Sequence, residues 1–320
     1  MTDKAKVLIT GNIPHRWLSD LEGIADPDIW SGKGTFLIPR STLLSVIGNF
    51  DAVINFAETM ADDEFMEAAK KLKIIANVSI GFDNLNLPLL TRKGVWAANA
   101  PGFFNYPVAE YVLAGILALL RRFMEADAFV RNDGWKAFEP GKWDGLSLKD
   151  QVIGIIGLGS IGQELKKMIE SLGARVVYYN PSHRAAEGQL SFDDLISVSD
   201  IISIHVPLTT STKNLIGKDA IARMKKGAIL VNTSRGQVVD QNALVAALSS
   251  GRLSGAILDV FEQEPHVPEP LKKMKNVILT PHMAGGTIRA REACVRCAAK
   301  NVADALTGNR PSNALNNVLS

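Results

Sequence analysis

The sequence predicts an α/β protein of two domains, each built on a parallel sheet covered on both faces. Two series of apolar strand-like runs carry that expectation, together with the polar-faced helical stretches that separate them. A length of 320 residues accommodates two domains of ordinary size, and a 47% hydrophobic share supplies packed cores for both.

The first series is KVLIT at 6–10, AVINF at 52–56, KIIANV at 73–78 and GVWAAN at 94–99, with FLIP at 36–39 as a weaker member. A helix over 62–71 separates two of these runs. The second series is QVIGIIG at 151–157, RVVYY at 175–179, DIISIHV at 200–206, GAILVN at 227–232, GAILDV at 255–260 and NVILT at 276–280, with helices over 163–172 and 241–248 between them. These runs lack the alternation of a half-exposed strand, so each predicts a strand buried on both faces of its sheet.

Pro107 sits where a first helical turn accepts it, and VAEYVLAGILALLRR continues at helical period. The stretch at 132–150, NDGWKAFEPGKWDGLSLKD, is rich in Gly, Trp and charge with little periodicity. It predicts an arm that packs outside its own domain, on a second subunit. A last helix over 288–306 is expected to cross back to the first domain. The expected division is therefore 1–101 as a substrate domain completed by 287–320, and 102–286 as a dinucleotide-binding domain. The second includes a dimerisation arm over 107–150.

Formal charge is +2 with Lys and Arg spread along the chain, which gives no footprint for nucleic acid or an anionic membrane. The start, MTDKAKVLITG, reads straight into a strand without an export-signal pattern. The longest apolar stretch, Tyr111–Leu120, is half a bilayer span and ends at Arg121 and Arg122. A soluble, cytoplasmic protein is expected. Cys294 and Cys297 are spaced CxxC but lie in one helical stretch without a second pair. They read as reduced structural thiols, and no metal is expected.

The run QVIGIIG leads directly into GLGSIG at 157–162 and then into a helix, the context of a dinucleotide fingerprint. Gly157 permits the tight turn, Gly159 lets backbone approach a pyrophosphate, and Gly162 lets helix pack on strand. The amides of Ser160 and Ile161 then face the phosphates at a helix N-terminus. A carboxylate at the tip of the next strand would bind both ribose hydroxyls of NAD, but that position holds Asn180. Ser182, His183 and Arg184 follow and offer donors to a 2′-phosphate, so NADPH is expected over NADH. The alternative has Asn180 on the ribose of NAD and Arg184 in solvent.

Three further segments end strands of the second series: VNTSRGQVVD at 231–240, LDVFEQEP at 258–265 and LTPHMAGG at 279–286. Ligands of open parallel sheets bind outside the carboxyl ends of the strands. Arg235, Glu264 and His282 can therefore converge, supplying a cation for a substrate carboxylate, a proton donor and a carboxylate that keeps the donor charged. Spacing alone leaves Glu262 beside Glu264 as a candidate. His205 also ends a strand and reads as structural, lining the cofactor site.

With GLGSIG, HVPLTTST at 205–212, NTSRGQVVD, GAILDVFEQEP and LTPHMAGG in order, the chain resembles the D-isomer-specific 2-hydroxyacid dehydrogenases, nearest to glyoxylate and hydroxypyruvate reductases. The resemblance implies two Rossmann-like or flavodoxin-like domains with cofactor and substrate in the interdomain cleft, and a homodimer. It selects Glu264 and implies catalytic roles for Arg235, Glu264 and His282. Implied cofactor contacts are Val206, Pro207, Thr212, Thr233, Ser234, Arg235, Asp259, His282 and Gly285. Implied substrate contacts are the amides at Val78, Ser79, Ile80 and Gly81, with Arg235 and His282. The expected reaction is reduction of a small 2-oxo acid, glyoxylate or hydroxypyruvate, to the D-2-hydroxy acid. Phe103, Phe104 and Tyr106 leave 2-ketogluconate or an aryl 2-oxo acid open, as apolar lining or as core and dimer contacts. A dinucleotide-sensing corepressor is the alternative of another class, against which the complete Arg235, Glu264 and His282 set argues.

Overall fold

The computed structural model describes residues 4–32, 34–56, 59–180 and 188–318. The chain divides into one unit of Met1–Phe104 with Gly286–Ser320 and another of Asn105–Gly285.

In the first unit the predicted apolar runs become strands β1 (Ala5–Ile9), β3 (Ala52–Asn55), β4 (Ile74–Asn77) and β5 (Trp96–Ala98), joined by β2 (Ala25–Ile29). All pair in parallel in the order β2-β1-β3-β4-β5, the flavodoxin-like arrangement. Helices α1 (Arg40–Val46), α2 (Asp63–Ala68) and α3 (Leu87–Arg92) bury Leu43, Phe65, Met66, Leu89 and Leu90 against Leu8, Val53 and Ile75. The C-terminal helix Ile288–Leu306 packs on β3, β4 and β5 and buries Cys294, Val295, Ala298, Ala299 and Val302. Sheet burial on both faces explains why β3 and β4 carry no polar alternation.

Two expectations are corrected. FLIP at 36–39 forms no strand; it contributes one antiparallel bridge, Leu37 to Gly11, before α1 begins. The strand beside β1 is instead ADPDI, whose sequence conceals it. Its Pro27 is tolerated because β2 is an edge strand paired on one side only, and Asp26 and Asp28 are exposed. The helix expected over 62–71 is shorter. Asp62 caps it by accepting from the Phe65 amide at 3.0 Å, and Ala69 leaves helical backbone at ψ 56°.

The second unit holds β6 (Val152–Ile156), β7 (Arg175–Tyr179), β8 (Ile201–Ile204), β9 (Ala228–Asn232), β10 (Leu253–Leu258) and β11 (Val277–Leu279). Its helices are α4 (Asn105–Leu120), α5 (Phe123–Arg131), α6 (Ser160–Ser171), α7 (Phe192–Val198), α8 (Lys218–Arg223), α9 (Gln241–Ser249) and α10 (Glu269–Lys273). The parallel sheet runs β11-β10-β9-β8-β6-β7. A parallel bridge of Gln189 to Tyr178 continues it past β7. Counting that bridge as a vestigial third strand gives the 3-2-1-4-5-6 order of a Rossmann sheet with β11 added as a seventh strand, and the order reverses between β6 and β8.

Register fixes where the central strands stop. Leu258 of β10 pairs with Asn232 of β9 and with Leu279 of β11, so these strands end level. The arm at 132–150 contains only a 3-10 turn at Leu148–Asp150. Trp143 folds back onto its own unit, 5.0 Å from the Phe129 ring and under Arg122, whereas Trp135 and Phe138 are exposed. Among the described residues no helix is long and apolar enough to cross a membrane.

Candidate active site

The fingerprint segment has the geometry its glycines imply. Gly157 adopts φ +97°, and a Cβ there would lie 2.6 Å from the His205 carbonyl oxygen. A Cβ on Gly162 would lie 2.4 Å from the Gly157 carbonyl, so helix and turn touch at that point. Gly159 differs, since a Cβ there would meet no atom within 4 Å. Internal packing does not require that glycine, and its open backbone would admit close approach of a ligand. Gly159 also caps α6 without a side-chain acceptor, leaving the Ser160 and Ile161 amides at an uncapped helix N-terminus.

Other residues expected at a cofactor lie around the same strand ends. Thr233 Oγ1 is buried and has no hydrogen-bond partner among the described residues, as expected of a group that a ligand satisfies. Val206 is buried and Pro207 exposed, while the Thr212 hydroxyl donates to the Pro207 carbonyl at 2.6 Å and shapes the turn. Gly285 is half-buried at the end of the unit, and Asn180 is half-buried after β7. Ser182, His183 and Arg184 lie outside the described residues. His205 meets Ser203 Oγ through Nε2 at 2.8 Å, and burial pushes its pKa down to about 4, so near neutrality the ring is uncharged.

The level ends of β9, β10 and β11 launch three loops side by side. After β9, buried Asn232 accepts from the Ser234 amide and hydroxyl at 3.0 and 2.9 Å and donates to the Arg235 carbonyl at 2.9 Å. Arg235 is thereby fixed in extended backbone, with Nη1 donating to Ser234 O at 2.8 Å. Directly after it, Gly236 is crossed by the next loop. A Cβ on Gly236 would lie 2.0 Å from the Phe261 carbonyl carbon and 2.4 Å from the Glu262 nitrogen. Only glycine allows that crossing, which Gln237 Nε2 reinforces by donating to the Glu262 carbonyl at 2.8 Å.

The crossing delivers Glu264. Its Oε1 accepts from the Phe261 amide at 3.0 Å, and its Oε2 lies 2.8 Å from His282 Nδ1. Geometry thus separates the two candidate carboxylates, since Glu264 and not Glu262 meets the histidine. The hydrogen bond from Glu264 raises the His282 pKa against the opposing effects of burial and of Arg235. Burial works to raise the Glu264 pKa, but hydrogen bonds from His282 and the Phe261 amide outweigh it, and the pKa falls below the ordinary value. Arg235 depresses both pKa values electrostatically, so the three groups form one cluster. With Nδ1 engaged, His282 Nε2 has no partner among the described residues.

His282 itself has φ +51°, an uncommon conformation for a residue with a side chain. Asp259 enforces it. That carboxylate is fully buried and accepts from Thr280 Oγ1 (2.6 Å), the Met283 amide (2.8 Å) and the Ala284 amide (2.7 Å), while its carbonyl accepts from the His282 amide (2.8 Å). Both Asp259 oxygens are therefore turned to the loop that bears His282. Sequence reasoning did not find Asn232, Gly236 or Thr280. The first two lie inside the NTSRG segment, where a buried strand-end amide and the glycine after Arg235 were the available signals.

The first unit holds the remaining predicted residues. Buried Val78 ends β4 by donating to Asn55 O at 2.7 Å. The carbonyls of Ser79, Ile80 and Gly81 are occupied by the Ala100 amide, Asn99 Nδ2 and Asn77 Nδ2 at 2.9, 2.8 and 3.1 Å. The amides of Ser79, Ile80 and Gly81 have no acceptor among the described residues, a set of N–H groups suited to a carboxylate. Phe104 is core, stacked under Arg291, while Phe103 and Tyr106 are exposed. Burial pushes the Cys294 thiol up to about 12 and raises Cys297 as well, so neither presents a thiolate. No group of three or more His, Cys, Asp or Glu among the described residues is placed to hold a metal.

Residues 113–284 match the family description "D-isomer specific 2-hydroxyacid dehydrogenase, NAD binding domain". The chain is 40% identical to the glyoxylate reductase of Thermococcus litoralis over 98% of its own length and 97% of that protein. It superposes on a glyoxylate reductase structure from Paecilomyes thermophila with a TM-score of 0.86 and 26% identity, covering 98% and 99% of the two chains. An NADPH-dependent glyoxylate/hydroxypyruvate reductase of Sinorhizobium meliloti gives a TM-score of 0.83 at 26% identity, with 98% of each chain covered.

The Gly236 crossing yields a sharp expectation. Gly236→Ala should push the Phe261–Glu264 backbone away from His282 and reduce kcat/KM by roughly 100-fold, the scale of a 1 Å misplacement. Steady-state kinetics on the folded variant test this, and wild-type activity would contradict the role given to the crossing.

Proposed function

We propose that this chain, which belongs to the D-isomer-specific 2-hydroxyacid dehydrogenase family, reduces glyoxylate or hydroxypyruvate to the D-2-hydroxy acid with NADPH as the preferred reductant. The observation that carries the reading is the 2.8 Å contact of His282 with Glu264, beside Arg235. The chain is an oxidoreductase with a nicotinamide-dinucleotide domain, and the finer assignments follow from its own residues.

A bound NAD(P)H supplies hydride to the 2-oxo carbon. The residues that fit it are Gly157, Gly159, the Ser160 and Ile161 amides, and the orphaned Thr233 hydroxyl. As negative charge grows on the carbonyl oxygen, protonated His282 donates to it from Nε2, an effect worth roughly 10²–10⁴-fold in general acid catalysis. Glu264 holds Nδ1–H, which fixes the ring and favours the imidazolium. Arg235 binds the substrate carboxylate and polarises the ketone. Before and after turnover the set differs by one proton on His282.

The reading fixes the sign of a pH dependence. A raised His282 pKa means that the acid form persists above the ordinary histidine range and is lost as pH rises through the raised value. Reduction with chemistry limiting should be flat below that pKa and fall tenfold per pH unit above it. Glu264→Gln should move the fall to lower pH, and a rate indifferent to pH would contradict the donor assignment.

Preference for NADPH is supported by Asn180 in place of a carboxylate, and by the NADPH dependence named for the Sinorhizobium relative. Ser182, His183 and Arg184 are assigned to the 2′-phosphate. Initial rates with both reductants should give the higher kcat/KM for NADPH, and Arg184→Ala should erase the difference. A clear preference for NADH would overturn the assignment.

A homodimer belongs to the same proposal. The apolar surface of α4 and exposed Phe123, Trp135 and Phe138 support it. Sedimentation equilibrium should give twice the mass of one chain, and a monomer at micromolar concentration would refute it.

A further inference from the structure

Tyr111 projects from α4, an element that contributes none of the catalytic groups. Its ring is half-buried, and its hydroxyl is hydrogen-bonded to Thr280 Oγ1. The direction of that bond is determined. Thr280 has a single hydroxyl hydrogen and gives it to Asp259 Oδ1 at 2.6 Å, because a carboxylate only accepts. The Tyr111 hydroxyl must then be the donor to Thr280. Three groups from three elements form one directed chain, phenol to hydroxyl to carboxylate, ending on the residue that pins the Met283 and Ala284 amides. Each donor in such a chain strengthens the next bond.

We propose that Tyr111 is a positioning residue for the reaction: through Thr280 and Asp259 its hydroxyl holds the loop that aims the His282 imidazole. This rests on the reading of His282 as the proton donor. The loop needs such a brace because His282 occupies left-handed backbone, which persists only where its surroundings over-determine it. The charged groups acting on the imidazole are Glu264, Arg235 and Asp259, and Tyr111 acts only by way of Thr280. Burial raises the Tyr111 pKa above the ordinary phenol value, so the group remains a donor across the working range of pH.

Loss of the phenol hydrogen leaves Asp259 with a weaker Thr280 bond and the loop with one restraint fewer. The contact of His282 with Glu264 should then be made less of the time. The test compares full-length wild type, Tyr111→Phe, Tyr111→Leu and Thr280→Val. Readouts are kcat against pH and the titration of the His282 ring by NMR of ¹⁵N-histidine-labelled protein. Tyr111→Phe keeps the ring and should lower kcat by roughly 2- to 10-fold, the rate equivalent of one hydrogen bond. It should also move the His282 titration to lower pH without weakening dinucleotide binding. Thr280→Val cuts the same chain from its other side and should shift both readouts in the same direction. Wild-type titration and kcat in Tyr111→Phe and Thr280→Val, with only Tyr111→Leu impaired, would reduce Tyr111 to a packing residue and overturn the proposal. The ring titration is read without substrate, so it decides the matter even if no 2-oxo acid is turned over, a result that would fault the functional reading alone.

Discussion

The hydrogen bond between His282 and Glu264 is the interaction on which the proposed chemistry of the second unit turns, and the parallel sheet is what makes it possible. Adjacent strands stand about 4.8 Å apart, so loops leaving level strand ends start within side-chain reach of one another. Leu258 pairs with both Asn232 and Leu279, which sets three ends at one height. Proximity alone would leave the loops free to diverge. The Gly236 crossing draws the β10 loop over the β9 loop, and the Asp259 carboxylate draws the β11 loop back under it. Both devices use backbone contacts, which hold position more tightly than long side chains do.

Electrostatics within the cluster are a contest with a defined winner. In the proposed reaction Arg235 binds an anionic substrate, yet its charge opposes the imidazolium beside it. Burial opposes it too. A direct charge-assisted hydrogen bond to Glu264 prevails because it acts at 2.8 Å, whereas the guanidinium acts without a direct bond to the ring. The carboxylate keeps its own charge through hydrogen bonds from His282 and from the Phe261 amide, the second of which is set by how the loop is folded. Arrival of a carboxylate substrate at Arg235 would offset part of the opposing charge when the proton is needed.

Much of this was legible in the sequence, for reasons that differ by element. Fully buried strands announce themselves as unbroken Val and Ile runs, and GLGSIG announces a turn that tolerates no side chains at Gly157 and Gly162. Strand β2 was illegible because an edge strand with one bonded side can hold Asp-Pro-Asp, a composition that otherwise reads as a turn. The choice of Glu264 over Glu262 needed the family pattern or the structure, since two acids two residues apart satisfy the same spacing. Braces were the least legible. Thr280 and Tyr111 act through bonds to residues distant along the chain, which no local pattern encodes.

The same devices explain why the ligand side of the second unit is built against its own stability. Among the described residues the buried Thr233 hydroxyl has no partner, α6 begins without a capping side chain, and His282 sits in disfavoured backbone. A buried unsatisfied group costs about 1–3 kcal/mol, a glycine cap in place of a capping side chain only a few tenths of a kcal/mol, and strained backbone about 1–3 kcal/mol. Random drift would not be expected to gather such defects at the carboxyl ends of one sheet. Phosphate oxygens at the α6 amides and a polar atom beside Thr233 would satisfy these groups, so their cost to the folded chain becomes affinity for the ligand. By mass action that affinity would return as stability of the folded chain when the ligand is bound.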